Sequence, residues 1–383
     1  MSGERRPHPV PGPAPAALRT GPPVAAPGRP ARAPARTPAD RPVPLTVSGA
    51  TADARSRQAA LLADALAGGG RAALAAAART AGPPAPRQAY RATVVAGTAE
   101  EAVQALRALA YGRPHPALVS GADEAGRAAD AAVVLFTAHS PPPPRTGREL
   151  YSTFPAFRAA FDAVREAVDT HLPLPLAAVV LAPEDGVDAE LIRDPRYARP
   201  ALFAFHVALL RLWEACGVRV GAVAGDGTGI LAAAHAAGVL GLSDAARLAA
   251  AAGRSASDLR KQTRGCRTQS PRRALVCTAT GDRIGPGPGE HPLAPRHLLR
   301  AAAPAAGPAA ALHALAGAGL PGAHPCAPDP APAAAHGELR AVLMSLARFH
   351  ACGQPVAWAT VLDATGVPAA RPAPLPELAA DPR

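Results

Sequence analysis

Apolar positions in this chain follow two spacings that alternate along it. Residues 43–50, VPLTVSGA, and 91–97, RATVVAG, are short β-branched runs closed by glycine or alanine, as strands are. Each precedes a stretch with apolar residues three and four apart, over roughly 51–68 and 98–110. Thr98 and Glu101 form a capping box at the start of the second. The pattern predicts two βα units, with 114–130 as a surface connection. DAAVVLF (130–136) is then a continuous apolar run, the mark of a buried parallel strand. Residues 147–172 read as one long helix with Phe154, Phe157 and Phe161 on one face, core rather than ligand contacts. A helix over 198–215, a strand over 218–224 and a helix over 230–240 follow. A strand over 272–280, a helix around LHALAGAGL and a final helix over 337–353 complete the pattern.

Composition narrows this picture. The chain has 383 residues, enough for one large or two modest cores, and is 49% hydrophobic. Much of that is alanine, and aromatics are 3%, so the core is expected to be thin for its size. Lys261 is the single lysine among many arginines, which together with abundant Ala, Pro and Gly reads as coding bias. Residues 1–43 carry closely spaced prolines without apolar periodicity and are expected to be disordered, as is the proline-rich end from 368 to 383.

About half of the +11 net charge lies in the first 43 residues, where seven arginines face Glu4 and Asp40. No stripe interleaves arginine with aromatics, so nucleic-acid binding is not expected. Five scattered cysteines include no C-x-x-C pair, and read as free thiols of a cytoplasmic protein. His350 and Cys352, two apart on a helix, do not face each other. No long apolar run or leader pattern is present, so a membrane span is not expected; without a C-x-x-C pair no metal site is expected, nor is any other cofactor.

The chemistry concentrates in GVRVGAVAGDGTGI, 217–230. A strand, a glycine-rich turn and the helix LAAAHAAGVL form the shape that exposes a nucleophile in α/β enzymes. The central residue here is Gly227, which has no side chain to attack with. A dinucleotide loop is the rival reading, but that fingerprint wants glycine where Ile230 stands, and no strand ending in an acidic residue follows.

Three blocks, RELYSTFPAFRAAFDAV, YARPALFAFHVALLRLWE and GVRVGAVAGDGTGILAAAHAAGVLGLSDAARLAAAAGR, resemble in order the acyltransferase domains of modular polyketide synthases, relatives of malonyl-CoA:acyl-carrier-protein transacylases. The preceding βα units resemble the ketosynthase-to-acyltransferase adapter, and LRAVLMSLARFHACGQPVAWATVLDATG resembles the end of the domain, so the likeness runs over roughly 44–375. The resemblance implies an α/β fold: a small adapter domain over 44–129, then a truncated hydrolase-like domain with a parallel sheet over 130–367.

It also implies a set of site positions. The family's G-H-S-x-G elbow is matched by Gly225, Asp226, Gly227, Thr228 and Gly229, so the serine position is Gly227 and the histidine before it is Asp226. Thr228 carries the nearest hydroxyl, one residue along. The glutamine of the F-P-G-Q-G-S-Q oxyanion loop is matched by His139, followed by Pro141 to Pro144, which lack amide donors. The carboxylate-binding arginine is matched by Ala252, while Arg254 is the second arginine of that motif. No histidine occurs between His235 and His291, so the catalytic histidine and its ferredoxin-like subdomain read as deleted together. His235 lies in an ordinary helix motif and reads as structural. No intact catalytic residue is expected. The implied role is an interaction or scaffold module of polyketide biosynthesis, with an acyl carrier protein or synthase subunits as partners. The alternatives are a residual malonyl/acyl-CoA:acyl-carrier-protein acyltransferase and a decaying gene product without a role.

Overall fold

The computed structural model describes residues 41–81, 88–122, 131–137, 146–183, 186–278, 283–285, 308–317, 324–326 and 337–369. Strand β1 (Val43–Gly49) pairs antiparallel with β2 (Tyr90–Ala96), and β2 pairs antiparallel with β3 (Leu118–Ala122). Strand β3 lies within the stretch read from sequence as a connection; its pairing with β2, rather than any alternation of its own, makes it a strand. Val43 is fully buried and stands opposite Ala96, so β1 begins at the last residue of the stretch drawn from sequence as the tail.

Helices α1 (Ala52–Leu66), α2 (Arg71–Thr80) and α3 (Ala99–Ala110) cover this sheet with Leu62, Leu74 and Leu106. Thr98 caps the helix as expected, its Oγ1 accepting from the Glu101 N–H at 3.1 Å, while Glu101 Oε2 reaches back one residue beyond the cap and accepts from the Gly97 N–H at 2.8 Å.

The larger sheet has the order β7-β6-β5-β4-β8 among the described residues. Its members are β4 (Ala132–Phe136), β5 (Val220–Gly225), β6 (Ala274–Cys277), β7 (Arg283–Ile284) and β8 (His324–Cys326). Strands β8, β4, β5 and β6 run parallel, while β7 is antiparallel to β6. The mixed α/β architecture with a parallel sheet is the one the sequence implied.

The long helix expected over 147–172 is two: α4 (Arg148–Thr153) and α5 (Pro155–Asp169). Pro155 forces the residue before it out of helical geometry, and Phe154 is extended, with φ −112° and ψ 112°. Phe154, Phe157 and Phe161 are nevertheless all buried. A short helix α6 (Leu176–Val180) and a 3-10 turn (Val187–Arg193) lead to α7 (Pro195–Ala215), capped by Asp194 with proline at its first position. Helix α7 is apolar on nearly every side and runs through the core, with Trp213 1% exposed. It starts three residues earlier than expected.

Strand β5 is followed by α8 (Gly229–Ala237), α9 (Leu242–Arg254) and α10 (Ala256–Thr263). Among the described residues, α10 is the one helix between α9 and β6. Helices α11 (Pro308–Gly317), α12 (Glu338–Ala351) and α13 (Trp358–Ala364) complete the fold. Helix α12 lies against β2 and β3, and Leu362 of α13 and Val367 join the core of the first sheet. The two sheets therefore share the C-terminal segment.

Candidate functional site

The C-terminal ends of the parallel strands meet at one edge. Gly225 of β5 stands beside Phe136 of β4 and Cys277 of β6, and Phe136 beside Cys326 of β8. In open parallel α/β sheets this edge is where ligands bind.

The chain leaves β5 at Gly225 and turns through Asp226, Gly227 and Thr228 into α8. The Asp226 N–H donates to the Phe136 carbonyl at 2.9 Å, and the Gly229 N–H to the Asp226 carbonyl at 3.1 Å. Backbone approaches closely at both ends of the turn. A Cβ on Gly225 would lie 2.6 Å from the Ile230 nitrogen, and one on Gly229 would lie 2.7 Å from the Phe136 carbonyl carbon. Gly227 between them has φ +56°, a region L-residues enter at a cost. The turn therefore has the shape of an elbow, with a buried glycine at its centre.

Asp226 does not face outward as a base would. It is 1% exposed, and Thr278 Oγ1 lies 3.4 Å from its Oδ1 and 3.0 Å from the Gly225 carbonyl. Thr228 is half-buried at the start of α8, and its side chain makes no cap bond to the helix. Its Oγ1 instead accepts from Arg199 Nη1 of α7 at 3.2 Å.

Thr228, Gly229 and Ala252 line one small pocket with Arg199, Leu202 and His206. Its volume is about 10 Å³, room for about one water. The structure thus brings three of the sequence-matched positions together. Asp226 is not among the lining residues, and His139 lies outside the described residues with Pro141–Pro144. Arg254 points elsewhere: it pairs with Asp258 and reaches the His171 carbonyl at 3.5 Å. His235 Nδ1 lies 3.1 Å from the Leu240 carbonyl and its ring packs edge-on to Phe203, a structural placement.

Sequence reasoning missed Arg199 and His206. Their signal was present, because Arg199, Leu202, Phe203 and His206 are at i, i+3, i+4 and i+7 on one helix face. His206 is 1% exposed, and its Nε2 has no hydrogen-bond partner among the described residues. Burial pulls its pKa down to about 3, opposed only by a hydrogen bond with the Cys326 backbone, so the ring is neutral at pH 7. Cys326, itself buried, has its thiol pKa pushed well above the usual range by burial. The cysteines of the described residues are all free. Among the described residues there is no group of three metal-ligating side chains and no helix long and apolar enough to cross a membrane.

Residues 146–273 match the family model described as the acyl transferase domain. Polyketide synthase GfsA of Streptomyces halstedii is 41% identical over 165 residues, which is 43% of this chain and 2% of that protein. The phenolphthiocerol synthesis polyketide synthase type I Pks15/1 of Mycobacterium marinum is 39% identical over 165 residues, 43% of this chain and 8% of that protein. The chain therefore spans a small fraction of the length of these curated relatives. The acyltransferase domain from module 8 of the salinomycin polyketide synthase has the same fold, with a TM-score of 0.67 at 20% identity over 83% of this chain and 98% of that one. The acyl transferase domain of ZmaA gives a TM-score of 0.69 at 16% identity over 88% and 99%.

Proposed function

We propose, for a chain that carries an acyl transferase domain of the polyketide synthase type, that transfer chemistry is lost and that the retained fold serves as an interaction module in polyketide biosynthesis. The observation that carries this reading is Gly227 at the centre of an otherwise intact elbow, at φ +56°. Acyl transfer needs a nucleophilic oxygen that attacks the thioester carbon, expels the coenzyme A thiolate and passes its proton to a base. Gly227 offers no oxygen. Asp226, the neighbouring titratable group, is turned inward onto Thr278. Ala252 supplies no cation for an acyl carboxylate. In a serine protease, loss of the nucleophile or its base alone costs about 10⁶ in rate. The short passage from α9 through α10 to β6 also favours loss of the ferredoxin-like subdomain and its histidine.

The partners this reading implies are an acyl carrier protein or polyketide synthase subunits, met in the cytoplasm through the outer faces of the adapter-like and acyltransferase-like regions. A second reading, residual acyl transfer, draws on one observation: the Thr228 hydroxyl sits beside a guanidinium that could stabilise its alkoxide. One experiment separates the two. The protein is incubated with malonyl-, methylmalonyl- and acetyl-CoA and its intact mass is measured. An unmodified chain is expected. A stoichiometric adduct on Thr228 would establish the second reading and remove the first.

A further inference from the structure

The net positive charge of the chain sits in two places. One is the stretch 1–43. The other is 247–273, where eight cations face a single acid, Asp258. The remainder carries 25 cations and 26 acids and is close to neutral. Within 247–273, Arg247, Arg254 and Arg273 are paired with Asp244, Asp258 and Glu214, and Arg272 lies apart beside Gly238. Arg260, Lys261, Arg264 and Arg267 are exposed, and none has an ion-pair partner among the described residues.

These four cations form one row. Helix α10 ends at Thr263, and the chain keeps winding past it in turns of three. The N–H groups of Arg264, Gly265 and Cys266 donate to the carbonyls of Lys261, Gln262 and Thr263 at 3.3, 3.3 and 3.2 Å. Residues three apart eclipse in such turns, so Lys261, Arg264 and Arg267 follow one another at about 6 Å a step. Arg260 stands beside Arg264, four residues before it. The row has a fixed base: Leu259 and Thr263 are buried, α10 packs on α9, and Arg247 Nη1 donates to the Gln262 carbonyl at 2.8 Å. Like charges at this spacing repel, and the carbonyl end of a helix accounts for one or two cations, not for four. A carboxylate bounds the row at each end. Asp258 lies three residues before Lys261, and Asp244 Oδ2 accepts from the Arg267 N–H at 3.4 Å.

We propose that this row docks an acidic helix of a partner protein, one with carboxylates at i, i+4 and i+8. Those positions on an α-helix also lie about 6 Å apart, so each carboxylate meets one cation. The bounding acids keep the positive surface to about 12 Å, which suits a discrete set of carboxylates. A continuous polyphosphate would run onto Asp258 or Asp244, and nucleic-acid interfaces are far larger than this row. Residues 254–273 hold no aromatic to stack on bases, and their one large apolar side chain, Leu259, is buried and so is no anchor in a bilayer. Exposed ion pairs are individually weak and screened by salt, so the contact is a transient one. The inference rests on the interaction-module reading and gives it a surface. The two fail separately: an adduct on Thr228 would remove that reading with the row still binding, and a row that binds no helix leaves the chain unmodified.

The test is fluorescence anisotropy with the full chain and a labelled, alanine-based helical peptide of about 18 residues carrying glutamates at i, i+4 and i+8. Its glutamine counterpart, a duplex oligonucleotide and phosphatidylserine vesicles are the comparison probes. Wild type at low salt is expected to bind the glutamate peptide about tenfold more tightly than the glutamine peptide. Arg264→Gln with Arg267→Gln is expected to weaken the glutamate peptide about fivefold, the order of two exposed pairs. Arg107→Gln with Arg113→Gln removes the same charge from exposed positions at the end of α3, and is expected to bind as wild type does. Arg260→Gln with Lys261→Gln repeats the measurement on the helix itself, should the first pair of substitutions disturb the turn. Equal binding of the two peptides by wild type overturns the proposal. So does an equal loss in the row variants and the α3 variant, which would assign the effect to total charge. Binding of the duplex or the vesicles that the row variants weaken more than they weaken the peptide overturns it as well, by making the row a polyanion site.

Discussion

Gly227 shows how one residue type can preserve a shape while removing its chemistry. Its φ of +56° is open to glycine and costly to a side chain. Restoring an oxygen with Gly227→Ser is therefore expected to lower stability by about 1 kcal/mol. It is also expected to leave malonyl transfer to a carrier protein at the uncatalysed rate, since Asp226 is buried against Thr278 and burial lowers the pKa of His206 to about 3, too weak a base to take the serine proton. Turnover near 1 s⁻¹, an ordinary enzyme rate, would show that a base survives. Gly225→Ala probes the other requirement, close approach. Its Cβ meets backbone of Ile230 that cannot move aside cheaply, and a loss of about 1–3 kcal/mol in urea unfolding is expected. These glycines were legible in the sequence because a turn between strand and helix demands them. Arg199 and His206 were legible only as members of one helix face, because what that face meets depends on α7 packing against α8 and α9, which the helix pattern alone does not state.

At the scale of elements, the sequence showed most clearly what is local. The Thr98 cap is the clearest case, and Thr98→Ala is expected to cost about 1 kcal/mol, since the Glu101 N–H then loses its partner. Thermal melting of the variant checks this; an unchanged midpoint would mean that the turn holds itself without the cap. Glu101 does more than cap. Burial alone would raise its carboxyl pKa, but hydrogen bonds from Arg340 and the Gly97 amide outweigh that and lower it. The same residue thus ties α3 to α12, a link no local pattern announces. Two elements were misread for opposite reasons. Pro155 broke a helix whose apolar spacing ran on through it, and β3 became a strand through its partner, with Leu118 and Val119 only half-buried.

Across the whole molecule, the C-terminal segment joins the two sheets, and its buried histidine makes stability depend on pH. His350 is 1% exposed on α12; its Nδ1 lies 3.1 Å from Thr93 Oγ1 of β2 and its ring packs edge-on to Trp358 of α13. Burial, with a smaller contribution from Arg91, lowers its pKa from 6.5 to about 4. His206 is lowered further, to about 3. Between these values and 6.5 the unfolded chain takes up protons that the folded chain refuses. Each histidine therefore stabilises the fold above pH 6.5 and loses that contribution as pH falls toward its folded value, at up to about 1.4 kcal/mol per pH unit. Glu338 acts in the other direction. Burial raises its carboxyl pKa to about 7 against the amide donors of Gly147, Glu149 and Leu150, so its contribution is present below about 4.5 and is lost as pH rises through 7. His171 and His235 are lowered by burial as well, so four histidines oppose one carboxyl, and wild type is expected to lose stability on acidification from pH 6 to pH 5. His350→Gln keeps a polar partner for Thr93 but does not titrate. Its unfolding free energy is expected to fall less steeply over that interval, by about 1 kcal/mol per unit. Urea melts of both proteins at the two pH values measure the difference. Parallel slopes would mean that His350 is protonated in the folded state, and that water reaches the junction between α12 and the first sheet.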